Sequence, residues 1–242
     1  MSSTTGDMRP LSLGDLRPAN LQAAGIEAVI LDFDGTLAES SGIWKEVDRI
    51  FFERRGLTYG PDYAERLSVL GFEEGARYTI AEYGLTDSVQ AICDEWNELG
   101  RELYRERVQL RPGVPAYLRA LQEAGVPYAL ATTNAPEVVL ALEPRIPMGE
   151  LFPVRVHGCE VERHTKEDPD IYLEAMRRLG MDAGSAEARG RCAVFEDILP
   201  AVETAKRVGM RAIGVATGSS HQRLDAIRRV AGLTIGGWEG LA

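Results

Sequence analysis

Ala28-Val29-Ile30-Leu31-Asp32-Phe33-Asp34-Gly35-Thr36-Leu37 is the stretch from which the rest of the chain is read. Its four leading apolar residues form an unbroken run, the pattern of a strand buried on both faces of a parallel sheet. Two carboxylates follow, Asp32 and Asp34. Both would point the same way if strand geometry continued; Gly35 instead permits a bend that swings Asp34 back over Asp32. The pair then stands at the carboxyl end of a sheet strand, where open α/β sheets hold ligands. One such acid can attack as a nucleophile while its neighbour moves protons.

The rest of the chain supports that sheet. Tyr128-Ala129-Leu130-Ala131-Thr132, Cys192-Ala193-Val194-Phe195, Ala212-Ile213-Gly214-Val215-Ala216 and Leu233-Thr234-Ile235 read as further strands. Between them lie amphipathic stretches. Leu118, Leu121 and Ala124 sit at helical spacing between Gly113 and Gly125, and Gly125 suits a helix stop. Asp168-Pro169 is expected to open another helix, with Asp168 as cap and Pro169 in the first position. Ile171, Ala175, Met176 and Leu179 give that helix its apolar face, and Val202 to Val208 forms the next helix. Alternation of this kind predicts an α/β fold, a doubly wound parallel sheet with helices on both faces.

Residues 39–109 break the alternation. No strand is evident there, whereas Ile43, Val47, Ile50 and Phe51, and later Val89, Ile92, Cys93, Trp96, Leu99 and Leu103, recur at helical spacing. The reading is an inserted α-helical domain over 39–109, a core domain formed by 25–38 and 110–242, and a polar amino-terminal extension over 1–24. Leu11, Leu13, Leu16 and Leu21 of the extension are placed to pack on the body.

Composition narrows the function. A net charge of −10 argues against non-specific nucleic-acid binding and against an anionic membrane surface. It leaves room for a phosphorylated substrate, because a bound cation reverses the field of an acidic site. Cys93, Cys159 and Cys192 show no zinc or redox spacing and read as buried free thiols in a reducing cytosol. The first residues carry no secretory pattern and no apolar run reaches the length of a membrane span. The expectation is a cytoplasmic protein, a monomer or homodimer, that acts on a small metabolite.

Four polar features fall at the ends of predicted elements and converge on one sheet edge. Besides Asp32 and Asp34 these are Thr132-Thr133-Asn134, Lys166 and Glu196-Asp197. Together they suit phosphoryl transfer. Asp32 would attack phosphorus and form an aspartyl phosphate. Asp34 would protonate the leaving oxygen and later activate water. Thr132 would donate its hydroxyl to a phosphoryl oxygen, and Lys166 would offset the repulsion between nucleophile and phosphate. Asp197, with Glu196, Asp32 and the Asp34 carbonyl, offers oxygen ligands for Mg²⁺.

With these residues in place, the chain resembles the haloacid dehalogenase (HAD) superfamily over roughly residues 26–236. The similarity is to its branch of phosphatases and β-phosphoglucomutase-like enzymes. Asp32 to Thr36 matches the family's DxDGT, and Thr132 its strand-end hydroxyl, with Thr133 as the alternative register. Lys166-Glu167-Asp168-Pro169-Asp170 matches the lysine segment and Glu196-Asp197 the acidic pair. Arg111-Pro112-Gly113-Val114 resembles the lead into the second strand. The 39–109 insert resembles the helical C1 cap. Two departures stand out: Glu167 where the family often has Pro, and Ile198 after the acidic pair. The resemblance implies a Mg²⁺-dependent phosphoric monoester hydrolase, with Gly35, Thr133 and Asn134 beside the phosphate.

Other readings of individual residues stay open. Thr132 also reads as a strand-end hydroxyl satisfying backbone. Trp44 and Lys45 either face the substrate or belong to the helical core and its surface. Arg77, which follows Gly71-Phe72-Glu73-Glu74, either meets a substrate anion or lies on a solvated helix face. Trp96 fits the apolar stripe, and His157 and His221 follow no pattern. A phosphosugar mutase would use the same core residues, and a catalytically silent binding protein is the alternative of another class. Asp34 argues against a dehalogenase, which lacks that second acid.

Overall fold

The computed structural model describes residues 9–219 and 222–242, and within them every side chain except those at positions 41, 65, 68 and 69. His221 therefore lies outside the described residues, as do residues 1–8 of the extension. From residue 9 the extension runs through a 3-10 turn, Leu13–Leu16, into a short helix α1, Pro18–Leu21. Leu16 and Leu21 are buried and Leu11 is half-buried, but Leu13 is exposed.

Six strands form one sheet: β1 (Ala28–Leu31), β2 (Tyr128–Thr132), β3 (Arg155–His157), β4 (Cys192–Glu196), β5 (Arg211–Val215) and β6 (Thr234–Ile235). Their order is β3-β2-β1-β4-β5-β6, and every pairing is parallel. Leu31 at the end of β1 lies in register with Leu130 and Phe195. The connections run outward from β1 on one side and from β4 on the other, so the winding reverses between these two strands. A crevice opens at the carboxyl ends at such a point. Asp32 follows β1 and Asp197 follows β4, which puts both acidic motifs at that crevice.

Four of the five helices between β1 and β2 make up the inserted layer: α2 (Ser41–Arg54), α3 (Tyr63–Val69), α4 (Phe72–Tyr83) and α5 (Val89–Arg107). The stripe read from the sequence is the buried face of α5, with Ile92, Cys93, Trp96, Leu99 and Leu103 all inward. The Ser88 hydroxyl caps that helix by accepting from the Ala91 amide at 3.1 Å. The chain enters and leaves this layer side by side, through an isolated bridge between Ala38 and Leu110.

The remaining helices are α6 (Val114–Glu123), α7 (Pro136–Leu140), α8 (Met148–Leu151), α9 (Asp170–Arg178), α10 (Ala186–Gly190), α11 (Leu199–Arg207) and α12 (Leu224–Ala231). Alternate strand residues feed opposite faces of the sheet. Val29, Leu31 and Phe195 join the core that includes Tyr117, Leu118 and Trp238 and continues among the inserted helices. Ala28, Ile30 and Val194 join the core made with Tyr172, Val202 and Ile227. This is the doubly wound arrangement expected.

Three details differ from the sequence reading. β3 was not anticipated, because its three residues offer the core little apolar pattern and pair only with β2 at the sheet edge. α9 begins at Asp170, so Asp168 does not cap it. The Asp168 carboxylate instead accepts from Thr165 Oγ1 at 3.2 Å and pairs with Arg163 at 3.2 Å. Cys93 and Cys192 are buried free thiols, but Cys159 is exposed. No helix among the described residues is long and apolar enough to cross a membrane.

Candidate active site

The bend after β1 is made by Gly35, at φ +78° in the left-handed region. A Cβ there would collide with the Asp197 carboxylate, so glycine also allows the β4 loop to close against the first motif. Arg111 ties this bend down from below, donating to Gly35 O and Ala216 O, each at 2.8 Å. Trp238 Nε1 adds a bond to Thr36 O at 2.9 Å. The motif is thus held by backbone contacts from three distant segments.

Asp32 and Asp34 diverge after the bend. Asp32 is ion-paired with Lys166, whose Nζ lies 2.8 Å from Oδ1. Lys166 is itself buried and also donates to Glu196 Oε1 at 2.5 Å and to Ala131 O at 3.2 Å. Tyr172 Oη donates to the same Glu196 oxygen at 2.6 Å. Burial works against the charge on Lys166, but Asp32 and Glu196 outweigh it and hold the ammonium well above its ordinary pKa. Lys166 therefore stays charged and orients the Asp32 carboxylate.

Asp34 turns toward the inserted helices. Tyr104 Oη of α5 donates to its Oδ1. Asn134 Nδ2 donates to its Oδ2 at 2.5 Å, and Trp44 Nε1 donates to Tyr104 Oη at 3.2 Å. Burial pushes the Asp34 carboxyl up to about 6, while the bonds from Tyr104 and Asn134 favour its ionised form. A group in this range can both give and take a proton near neutral pH.

Asp32, Glu196 and Asp197 offer carboxylate oxygens that all lie within 4.8 Å of one another. One buried lysine balances three acids. Burial, with the charges of Asp32 and Glu196, drives the Asp197 carboxyl well above its usual range. Burial and Asp32 push Glu196 up to about 7 against the pull of Lys166. Glu196 Oε2 is buried without a partner among the described residues. Excess negative charge, hard oxygen donors and an orphaned buried oxygen all fit a divalent cation. Asp34 can contribute only its carbonyl, since both its carboxylate oxygens are engaged by Tyr104 and Asn134.

These groups line a cavity of about 590 Å³ between the sheet edge and the inserted helices. Asp32, Asp34, Lys166, Asp197, Thr133 and Asn134 border it. Thr132 does not. It is buried and its hydroxyl accepts from the Asn134 amide at 3.2 Å, whereas the half-buried Thr133 borders the cavity. Of the two registers read from the sequence, Thr132 is the last residue of the buried strand and Thr133 the first beyond it.

Arg77 is not brought to the cavity. Its exposed guanidinium pairs with Glu73 and Glu74 on α4, at 3.1 and 3.3 Å. Trp44 and Trp96 belong to the helical core and also border the cavity, as does Lys45. His157 packs under the site, its Nδ1 at 2.9 Å from Asn134 O. Sequence reasoning missed Tyr104, Tyr172 and Asp48. The first two lie at apolar-looking positions of helices, and Asp48 among the charges of α2. Nothing in the linear pattern tells such residues from core or surface positions.

The sequence pattern described as haloacid dehalogenase-like hydrolase matches residues 26–209, and the chain belongs to that family. It is 29% identical over 188 residues to a phosphorylated carbohydrates phosphatase of Thermotoga maritima, covering 78% of this chain and 84% of that one. It is 29% identical over 211 residues to Protein CbbY of Rhodobacter capsulatus, covering 83% and 88% of the two chains. Among solved structures, CbbY of Rhodobacter sphaeroides in complex with phosphate superposes with a TM-score of 0.74 at 26% identity, over 90% of this chain and 96% of that chain.

Proposed function

We propose that the protein is a Mg²⁺-dependent phosphatase that hydrolyses a small phosphorylated metabolite through an aspartyl phosphate. The observation that carries this reading is the division of labour in the acid pair: Asp32 is ion-paired with Lys166, while Asp34, bonded to Tyr104 and Asn134 in the same cavity, is pushed up to about 6 by burial. The likeness to phosphatases of the family supports it.

Asp32 attacks phosphorus with a carboxylate oxygen, and the bond from phosphorus to the ester oxygen breaks. Asp34, protonated at that stage, gives its proton to the departing oxygen. It then takes a proton from water, which attacks the aspartyl phosphate, releases inorganic phosphate and restores Asp32. Thr133 holds a phosphoryl oxygen, Asn134 braces the turn through Thr132 and Asp34, and Lys166 keeps Asp32 in position. Asp32, Asp197 and Glu196, with the Asp34 carbonyl, would hold Mg²⁺, which would supply the charge that lets an anionic nucleophile approach an anionic ester. Residues 39–109 act as a cap that closes over the cavity and excludes bulk water, with Tyr104 linking the cap to Asp34.

The test is phosphate release from a panel of small phosphoesters with Mg²⁺ and with chelator, with Asp32→Asn as the blank. Metal-dependent release, lost in Asp32→Asn, is expected. Isomerisation of a phosphosugar without net release would replace the phosphatase by a mutase. Silence toward the whole panel, with tight phosphoester binding, would replace it by a binding protein.

A further inference from the structure

Among the described residues, Asp48 is the one cavity carboxylate that the proposed mechanism does not use. It lies on α2, one turn beyond Trp44 and on the same face, and it borders the cavity from the helical side. Only 7% of the residue is exposed, no ion pair reaches it among the described residues, and its carboxylate is not sealed in the core but opens on the cavity. The nearby cations do not serve it. Arg49 is taken by Glu46 and Glu53, Arg55 by Asp87 and Glu95, and Lys45 makes no ion pair with it. The Tyr63 hydroxyl bonds to Thr79 instead. Burial alone pushes the Asp48 carboxyl up to about 7. A charge in that state needs a partner, and the cavity is where one can enter.

The helical wall of the cavity is aromatic. Trp44, Phe72 and Trp96 border the same cavity and meet edge to face, with ring centroids 5.5 Å apart for Trp44–Phe72 and 5.8 Å for Phe72–Trp96. A carboxylate next to aromatic rings is a site for an organic cation. The ion pair neutralises the acid, and the rings attract the cation's bound hydrogens or methyl groups. A neutral hydroxyl would satisfy an oxygen and leave the buried charge in place.

We infer that Asp48, with the aromatic wall of Trp44, Phe72 and Trp96, selects phosphoesters whose leaving group carries an ammonium group. The inference rests on the phosphatase reading of the same cavity and adds the chemical class of its substrate. Trp44 and Asp48 are specificity determinants here, and the reacting atoms remain with Asp32 and Asp34.

Matched probes test this: 2-aminoethyl against 2-hydroxyethyl phosphate, and 3-aminopropyl against 3-hydroxypropyl phosphate. Each pair is measured twice, by kcat/KM of the wild-type protein with Mg²⁺ and by calorimetric Kd in Asp32→Asn. An ammonium preference of roughly tenfold or more is expected in at least one pair, the range of a hydrogen bond to a charged group. In Asp48→Asn, which keeps the shape and removes the charge, the ratio should fall close to one. No ammonium preference in either pair, or a preference retained in Asp48→Asn, would overturn the inference. If no probe is turned over but Asp32→Asn still binds the ammonium compounds selectively and Asp32→Asn/Asp48→Asn does not, the inference stands and the phosphatase reading fails.

Discussion

Asp48→Asn should make the folded protein more stable, and more so as the pH rises. The folded carboxyl titrates near about 7, whereas its ordinary value is 3.8. Such an acid binds its proton more tightly in the native state, so the fold loses stability as pH climbs through the interval between these values. Below that interval both states are protonated and Asp48 contributes nothing. Above it both are ionised and the full penalty is present. At ~1.4 kcal/mol per pH unit over about three units, the penalty reaches on the order of 4 kcal/mol. Tyr59 and Tyr63 face Asp48 across the helical layer and Lys45 and Arg49 flank it on its own helix; burial raises both tyrosines and the Glu46 and Glu53 carboxylates raise Arg49, so these three keep their charge state between pH 5 and 8. Urea unfolding of wild type and Asp48→Asn, in chelator at pH 5 and pH 8, isolates the effect because the other titrating groups cancel between the two proteins. The stabilisation by Asn should be larger at pH 8 by about 2–3 kcal/mol, read from the midpoint at unchanged m. An equal effect at both pH values, or a loss of stability at pH 8, would show that burial does not hold the Asp48 carboxyl above its ordinary range.

Three further outcomes follow from the geometry. Thr133→Val should lower kcat/KM about tenfold or more through loss of a donor to the phosphoryl group, whereas Thr132→Val should cost about 1 kcal/mol of stability with a smaller kinetic effect; steady-state kinetics and denaturation on both variants check this, and the reverse pattern would restore Thr132 as the donor. Tyr104→Phe removes the bond to Asp34 Oδ1 and one tie between α5 and the sheet edge, so kcat should fall about tenfold or more while KM changes less; an unchanged kcat would show that Asp34 is positioned without it. Mg²⁺ should raise the thermal midpoint of the wild type by neutralising the Asp32, Glu196 and Asp197 cluster, and Asp197→Asn should abolish most of that rise; an equal Mg²⁺ shift in Asp197→Asn would move the metal elsewhere.

The sheet was legible because its signals are local. Five of the six strands announce themselves as short apolar runs, and a run of that kind has little choice but a strand buried on both faces. Asp32, Asp34, Lys166 and the Glu196-Asp197 pair were legible for a related reason. They close such runs or their loops, so knowing that the strands are parallel is enough to bring them to one edge. Register at a strand end is less secure. Thr132 and Thr133 differ by one position, and whether the strand has ended by Thr132 depends on how β2 pairs with β3, the strand whose sequence carries almost no pattern.

What the sequence hides is partnership between elements. Tyr104 and Tyr172 sit at helix positions where any large side chain would be read as core, and both are indeed buried. Their hydroxyls matter only because the fold sets them against Asp34 and Glu196. Asp48 is the opposite case. In Trp44-Lys45-Glu46-Val47-Asp48-Arg49 it stands among alternating charges that read as a solvated helix face. Glu46 and Arg49 behave that way and pair with each other at 2.8 Å. Asp48, two residues from one and adjacent to the other, is turned inward by the same helix that turns them out. A buried carboxylate without an ion pair lowers stability, and a helix with several exposed positions had room to place it elsewhere. Its place at the cavity wall is therefore better explained by what the cavity binds than by anything the fold requires.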